Sequence, residues 1–119
     1  MIKALIATFS QTGSTEKVSE QIAKGLRSAG WEIDHFSIGS NDVPDLKIYD
    51  VIGIGSPTYY YRPPFIVRDF IQSLKKLSQT SSFVFILYGT HLGNCGNWIR
   101  NQLNVRGSKD LGYFYCAGA

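Results

Sequence analysis

The stretch Ser10-Gln11-Thr12-Gly13-Ser14-Thr15 follows the apolar run Ile2–Thr8 and carries hydroxyls, a glycine and no charge. Chemistry for such a segment exists if it joins a strand to a helix. The first-turn amides of a helix have no partner inside it, and the macrodipole makes that end electropositive. An anion there would collect backbone N–H groups together with the hydroxyls of Ser10, Thr12 and Thr15, while Gly13 allows the backbone to approach closely. Triphosphate loops of the GxxxxGK[ST] type add a lysine, and dinucleotide loops use GxGxxG; neither pattern is present. The segment suits one terminal phosphomonoester held by hydrogen bonds alone. The competing reading is a polar turn that caps the helix, but a cap needs a single hydroxyl.

Two further constellations invite chemistry. From Gly55 the chain reads GSPTYYYRPP, with three consecutive tyrosines, Tyr59, Tyr60 and Tyr61. Rings in a loop need a flat apolar object to cover, the helix that begins after Pro63-Pro64 to pack on, or a partner to face. The other is YGTHLGNCGNWIR from Tyr88, in which Cys95 and Arg100 stand as C-x4-R. Phosphatases of related topology need C-x5-R, and a low-pKa thiolate needs that loop's full set of amides, so this reading is set aside. A phosphoacceptor receiver domain would need paired acids after the first strand and an Asp after the third. Phe9-Ser10 and Ser56-Pro57 stand there instead.

The elements that must position these loops are legible as periods. Ile2–Thr8, Tyr49–Gly55, Phe83–Tyr88 and Leu111–Cys116 are short apolar runs. The first three are nearly continuous rather than alternating, as in strands covered on both faces of a parallel sheet. Trp31–Ile38 mixes apolar residues with Glu32, Asp34 and His35, as an edge strand would. Val18, Ile22, Leu26 and Ala29 form one stripe of a helix over 15–29, and Gly30 is placed to close it as C′. Val67, Phe70, Ile71, Leu74 and Leu77 form a second stripe after Pro63-Pro64, and Cys95, Ile99 and Leu103 a third. The order β-α-β-β-α-β-α-β predicts one α/β domain over 1–119, an open doubly wound five-stranded parallel sheet. With strand order 2-1-3-4-5, the switch point lies between the first and third strands. Ligands bind there at the carboxyl ends, where loops 9–14, 56–64 and 89–94 converge.

With SQTGST followed by Glu16, the chain resembles the flavodoxin family, whose phosphate loop follows [ST]-x-T-G-x-T. The resemblance implies a flavodoxin-like fold holding FMN, with the phosphate on Ser10, Gln11 (through its amide), Thr12, Gly13, Ser14 and Thr15. An aromatic is common in the family where Thr8 stands. The segment G-S-P-T-[WY] lies along the flavin in the family, which implies Pro57, Thr58 and Tyr59 against the ring, with Tyr60 and Tyr61 nearby. The loop after the fourth strand clamps the other side, which implies Thr90 and Gly93, with His91 either beside the ring or in solvent. The run Tyr59-x-x-x-Pro63-Pro64 with Phe70-Ile71 is similar to flavodoxin-like domains that precede a two-cluster ferredoxin, although no cysteine-rich cluster motif occurs in this sequence. The implied activity is one-electron transfer through a flavin semiquinone, with no side chain acting as acid or base. The alternatives are a small FMN-dependent NAD(P)H:quinone-type reductase and a flavodoxin-like interaction domain that has lost FMN.

Bulk properties narrow the partners. The sequence is 44% hydrophobic and 18% charged, the composition of a folded globular chain. No apolar run approaches the roughly 20 residues of a membrane span, and the opening MIKALIATF is too short and too soon polar for a signal peptide. Lys and Arg are spread rather than clustered, which argues against nucleic acid. Cys95 and Cys116 lie in no metal-binding pattern, and a reducing cytoplasm is the expectation. The formal charge of +3 departs from the strongly acidic flavodoxins and implies either an acidic redox partner, such as a ferredoxin-like protein, or electron transfer internal to a larger assembly. The sequence ends just after the fifth strand, where the family's sheet carries one more helix. Without that helix the third to fifth strands are expected to show an apolar face, and the expectation is either a truncated product or fragment, or a face covered by another chain, as in a homodimer.

Overall fold

A computed structural model describes residues 2–9, 13–40, 43–57, 64–74, 77, 80–88 and 95–117. Its elements follow in the order β1 (Lys3–Thr8), α1 (Ser14–Ser28), β2 (Glu32–Ser37), a 3-10 turn (Leu46–Ile48), β3 (Val51–Pro57), α2 (Phe65–Gln72), β4 (Ser81–Tyr88), α3 (Cys95–Val105) and β5 (Lys109–Ala117). All strand pairs are parallel, and the sheet runs β2-β1-β3-β4-β5. The expected α/β architecture and strand order are therefore the observed ones.

Two apolar layers flank the sheet because side chains alternate along each strand. Leu5, Ala7, Ile52, Ile54, Val84 and Ile86 meet α2 and α3 through Val67, Phe70, Ile71, Ile99 and Leu103. Ala4, Ile6, Val51, Phe83, Phe85 and Leu87 face α1, where Ala23 is buried and Val18, Ile22 and Leu26 pack against them. Among the described residues one helix covers this face and two cover the other, and on the first aromatic rings fill space beside the helix. Phe83 and Phe85 lie over the β3 glycines opposite them in register: a Cβ added to Gly53 or Gly55 would come within 2.3 Å of those rings. Burial of Phe83, Phe85 and Leu87 corrects the expectation that the third to fifth strands present a broad bare face. Among the described residues, the exposed large apolar groups of the sheet's outer side are on β5, with Phe114 at 47%. Phe114 touches the Phe83 ring, centroids 6.0 Å apart.

Both long crossover helices end in the same way. Gly30, at φ 94°, donates its N–H to the Arg27 carbonyl and Trp31 donates to Leu26, the paired bonds of a Schellman close. Gly107, also at φ 94°, donates to Asn104 while Ser108 donates to Leu103. Helix α2 stops earlier than its apolar stripe predicts. Leu74 and Leu77 are buried, but they follow the helix rather than extend it. Ser73 Oγ donates to the Phe70 carbonyl, and the Arg106 guanidinium, arriving from the end of α3, donates to the Gln72 and Leu74 carbonyls. Those contacts replace the N–H donors that another helical turn would have supplied to these carbonyls.

At the opposite end of the sheet from the candidate loops, the Tyr49 hydroxyl donates to Asp34 Oδ2 at 2.8 Å. Burial, and then that hydrogen bond and the charge of Asp34, push the Tyr49 phenol up to about 12 from its ordinary 10. Because the folded value is raised, the associated stability is fully present below pH 10 and is lost as pH climbs to about 12. Denaturation midpoints across that window should fall more steeply for the wild type than for Tyr49→Phe. Parallel profiles for the two proteins would contradict the assignment.

Candidate functional site

At the switch point the chain leaves β1 and β3 side by side. The Phe9 N–H donates to the Gly55 carbonyl at 3.1 Å, while the Thr8 carbonyl accepts from Ile38 N–H at 2.7 Å, so β1's exit is tied to both neighbours. Gly13 then stands at the N-cap of α1 with φ 84°, a left-handed conformation that side chains other than Gly and Asn rarely adopt. A Cβ at Gly13 would meet nothing within 4 Å, so backbone conformation rather than crowding demands glycine here. The helix begins with Lys17 N–H donating to the Gly13 carbonyl at 3.1 Å. Among the described residues no side chain caps it. The amides of Ser14, Thr15 and Glu16, lying in its first turn, have no acceptor within the helix.

Thr15 completes this terminus. Its side chain is 2% exposed. Among the described residues its hydroxyl makes no hydrogen bond. A hydroxyl held out of water without a partner costs roughly 1–3 kcal/mol, so a buried one at a helix N-terminus has a reason to meet an acceptor. An anion with unused lone pairs is such an acceptor. Ser14 is the first residue of the helix. Ser10, Gln11 and Thr12 lie outside the described residues.

Across the switch point, Pro57 ends β3 half-buried. Its carbonyl accepts from Ser56 Oγ at 2.8 Å and from Cys95 Sγ at 3.8 Å. Ser56 and Cys95 are both fully buried. Cys95 is also the first residue of α3, so this shared carbonyl fixes the root of the segment after β3 against the root of the segment after β4. Thr58, Tyr59, Tyr60, Tyr61, Thr90, His91 and Gly93 lie on those segments, outside the described residues. The Ser56–Pro57–Cys95 contact was not anticipated from the sequence, where Cys95 was read as part of a helical stripe and for its spacing to Arg100. Arg100 is turned away from that point: its guanidinium pairs with Asp110 on β5 and lies 5.5 Å from the centre of the Tyr113 ring. Cys95 and Arg100 therefore do not converge on one anion, as a phosphatase loop would require.

A second concavity, also absent from the sequence reading, lies between α1 and β2. It encloses about 350 Å³ and is lined by Thr8, Glu16, Ser19, Glu20, His35, Phe36 and Ser37. Within it Ser19 Oγ and His35 Nδ1 are 3.3 Å apart. Among the described residues, no group of three or more His, Cys, Asp or Glu is arranged to hold a metal ion, and no helix is long and apolar enough to cross a membrane.

A doubly wound parallel sheet with a glycine-led helix at its switch point defines the class of α/β proteins that take a ligand's anionic end beside the first strand. Residues 5–117 match the family model described as Flavodoxin domain, and the chain belongs to the flavodoxin family. It is 27% identical to Flavodoxin 1 of Escherichia coli strain K12 over 118 residues, covering 92% of this chain and 65% of that protein. The chain thus spans just under two thirds of the length of that curated relative. The crystal structure of oxidised Flavodoxin 2 from Bacillus cereus superposes with a TM-score of 0.84 at 27% identity, over 97% of this chain and 85% of that one. The Fusobacterium nucleatum flavodoxin, solved bound to flavin mononucleotide, has the same fold at a TM-score of 0.78 and 15% identity, covering 93% of this chain and 70% of the other.

Proposed function

We propose that this chain binds FMN and serves as an electron carrier between redox proteins. The observation that carries the reading is the amino terminus of α1: a left-handed Gly13 and, among the described residues, no capping side chain and no partner for the buried Thr15 hydroxyl. These features match what a phosphomonoester needs from an uncharged site. Family membership supports the choice of FMN among phosphomonoesters. When bound, FMN supplies one-electron redox chemistry at its ring system.

In this reading the backbone amides at the start of α1 and the Thr15 hydroxyl hold the phosphate. Ser10, Gln11, Thr12 and Ser14 are the other candidates for that role. Pro57, fixed from both sides by Ser56 and Cys95, sets where the chain starts along the ring. Thr58, Tyr59, Tyr60, Tyr61, Thr90, His91 and Gly93 remain candidates for the flanking contacts. No acid or base is required of any side chain.

The test is a titration of the purified chain, freed of any bound chromophore, with FMN and with riboflavin. Flavin fluorescence should be quenched by binding, and FMN should bind at least about tenfold more tightly than riboflavin, since charge-assisted hydrogen bonds to the phosphate are worth about 1.5–3 kcal/mol each. Equal affinity for the two compounds, or binding of neither, would refute the phosphate assignment.

A further inference from the structure

We infer that the first turns of α2 and α3 form a docking platform for an acidic face of a redox partner, centred on Phe65, Arg68 and Trp98. The Arg68 guanidinium carbon lies 5.2 Å from the centre of the Phe65 ring and 5.6 Å from that of Trp98. The cation is therefore held between aromatic groups of two different helices, which fixes its position without neutralising it. Among the described residues the ion pair present is Arg100–Asp110, and Arg68 takes no part in it.

Phe65 is 76% exposed, beside that cation. An exposed phenyl ring, a tryptophan and an unneutralised arginine in one patch are the residue types that carry binding energy at protein interfaces. Both helices also direct their positive macrodipole ends here. Asp69 is the one acidic residue of α2, and α3 contains none. Together with the formal charge of +3, the patch complements a negative surface.

Its placement gives the patch a use. The first turns of α2 and α3 lie at the carboxyl ends of β3 and β4, the same sheet edge as the start of α1. The Cys95–Pro57 contact sets α3's first residue beside β3's exit. A protein seated on Phe65, Arg68 and Trp98 would stand at the end of the sheet where β3 ends at Pro57 and α1 begins. That the occupant is a redox protein rests on the electron-carrier reading; that it is acidic rests on the patch.

The experiment follows electron transfer from the reduced, FMN-loaded chain to an acidic [2Fe–2S] ferredoxin and to a basic cytochrome c by stopped flow, over a range of salt. With the ferredoxin the wild-type rate should fall as salt rises, because exposed charges are screened beyond a Debye length of about 10 Å at 0.1 M. Arg68→Glu should slow that reaction by about tenfold or more at low salt and speed the reaction with cytochrome c. Lys24→Glu, an equal charge change at an exposed position on α1, should do much less. Phe65→Ala should slow the ferredoxin reaction at every salt concentration while leaving FMN content unchanged. Equal effects of Arg68→Glu and Lys24→Glu, or a wild type that prefers cytochrome c, would overturn the inference. Calorimetric titration of ferredoxin into the FMN-free chain separates the two readings: binding weakened by Arg68→Glu supports the platform even if FMN does not bind, and binding insensitive to it, or absent, refutes the platform.

Discussion

Gly55→Ala is expected to destabilise the protein by about 1–3 kcal/mol and Phe85→Ala by about 3–5 kcal/mol, yet the two together should cost clearly less than their sum. The Gly55 Cβ would sit 2.3 Å from Cζ and 2.4 Å from Cε2 of Phe85. That ring is 1% exposed and stacks on Phe83 with centroids 6.3 Å apart, so it has nowhere to retreat. Removing the ring opens a void above Gly55, and the added methyl then enters space rather than an occupied volume. Denaturant midpoints of the four proteins close the cycle. Costs that add to within about 0.5 kcal/mol would mean that glycine and ring are not packed as described.

Thr15→Val is expected to weaken FMN binding by about ten- to a hundredfold, the loss of one hydrogen bond to a charged group, while leaving riboflavin binding unchanged. Valine has nearly the shape of threonine and removes only the hydroxyl. Without FMN the same substitution should leave stability unchanged or raise it, since a desolvated hydroxyl with no described partner is exchanged for a methyl group. The two effects have opposite sign, which distinguishes a ligand-binding hydroxyl from a packing one. A variant with lower stability and normal FMN affinity would assign Thr15 to the fold alone.

How much of this was readable beforehand depended on whether the signal was local. The succession of strands and helices followed from near-continuous apolar runs spaced by helical stripes, and the glycine closing α1 from its position after the last stripe residue; the lateral order 2-1-3-4-5 was supposed, not read from those runs. Of the phosphate-loop candidates, Ser10, Thr12, Gly13 and Thr15 came from hydroxyls flanking a glycine, and Gln11 and Ser14 from the flavodoxin resemblance; the described residues among them are Gly13, Ser14 and Thr15. The end of α2 was not legible, because Leu74 and Leu77 keep helical spacing while Arg106, far along the chain, takes the carbonyls at that point. Lys109 and Asp110 hid the start of β5: both are polar, and the strand there has a register shift opposite Ser82 and Phe83, with Asp110 Oδ1 accepting from Gly112 N–H. Ser81 and Ser82 likewise hid the start of β4. The sparse covering of the α1 face was anticipated in kind but not in extent, since periodicity assigns Phe83 and Phe85 to a face without showing that their rings reach across the glycines of β3. The Phe65–Arg68–Trp98 patch joins residues of two helices and exists only once those helices pack.

The twin Schellman closures at Gly30 and Gly107 deliver β2 and β5, the two outermost strands, to opposite borders of the sheet. An achiral residue reaches this turn through its own torsional freedom, without help from distant contacts. The preference is thus already written into the nascent polypeptide before any interior has formed. The turns at both margins are specified within a few residues, while the pairings they lead to, such as Lys3 with Glu32 and Ser81 with Lys109, still close a whole crossover.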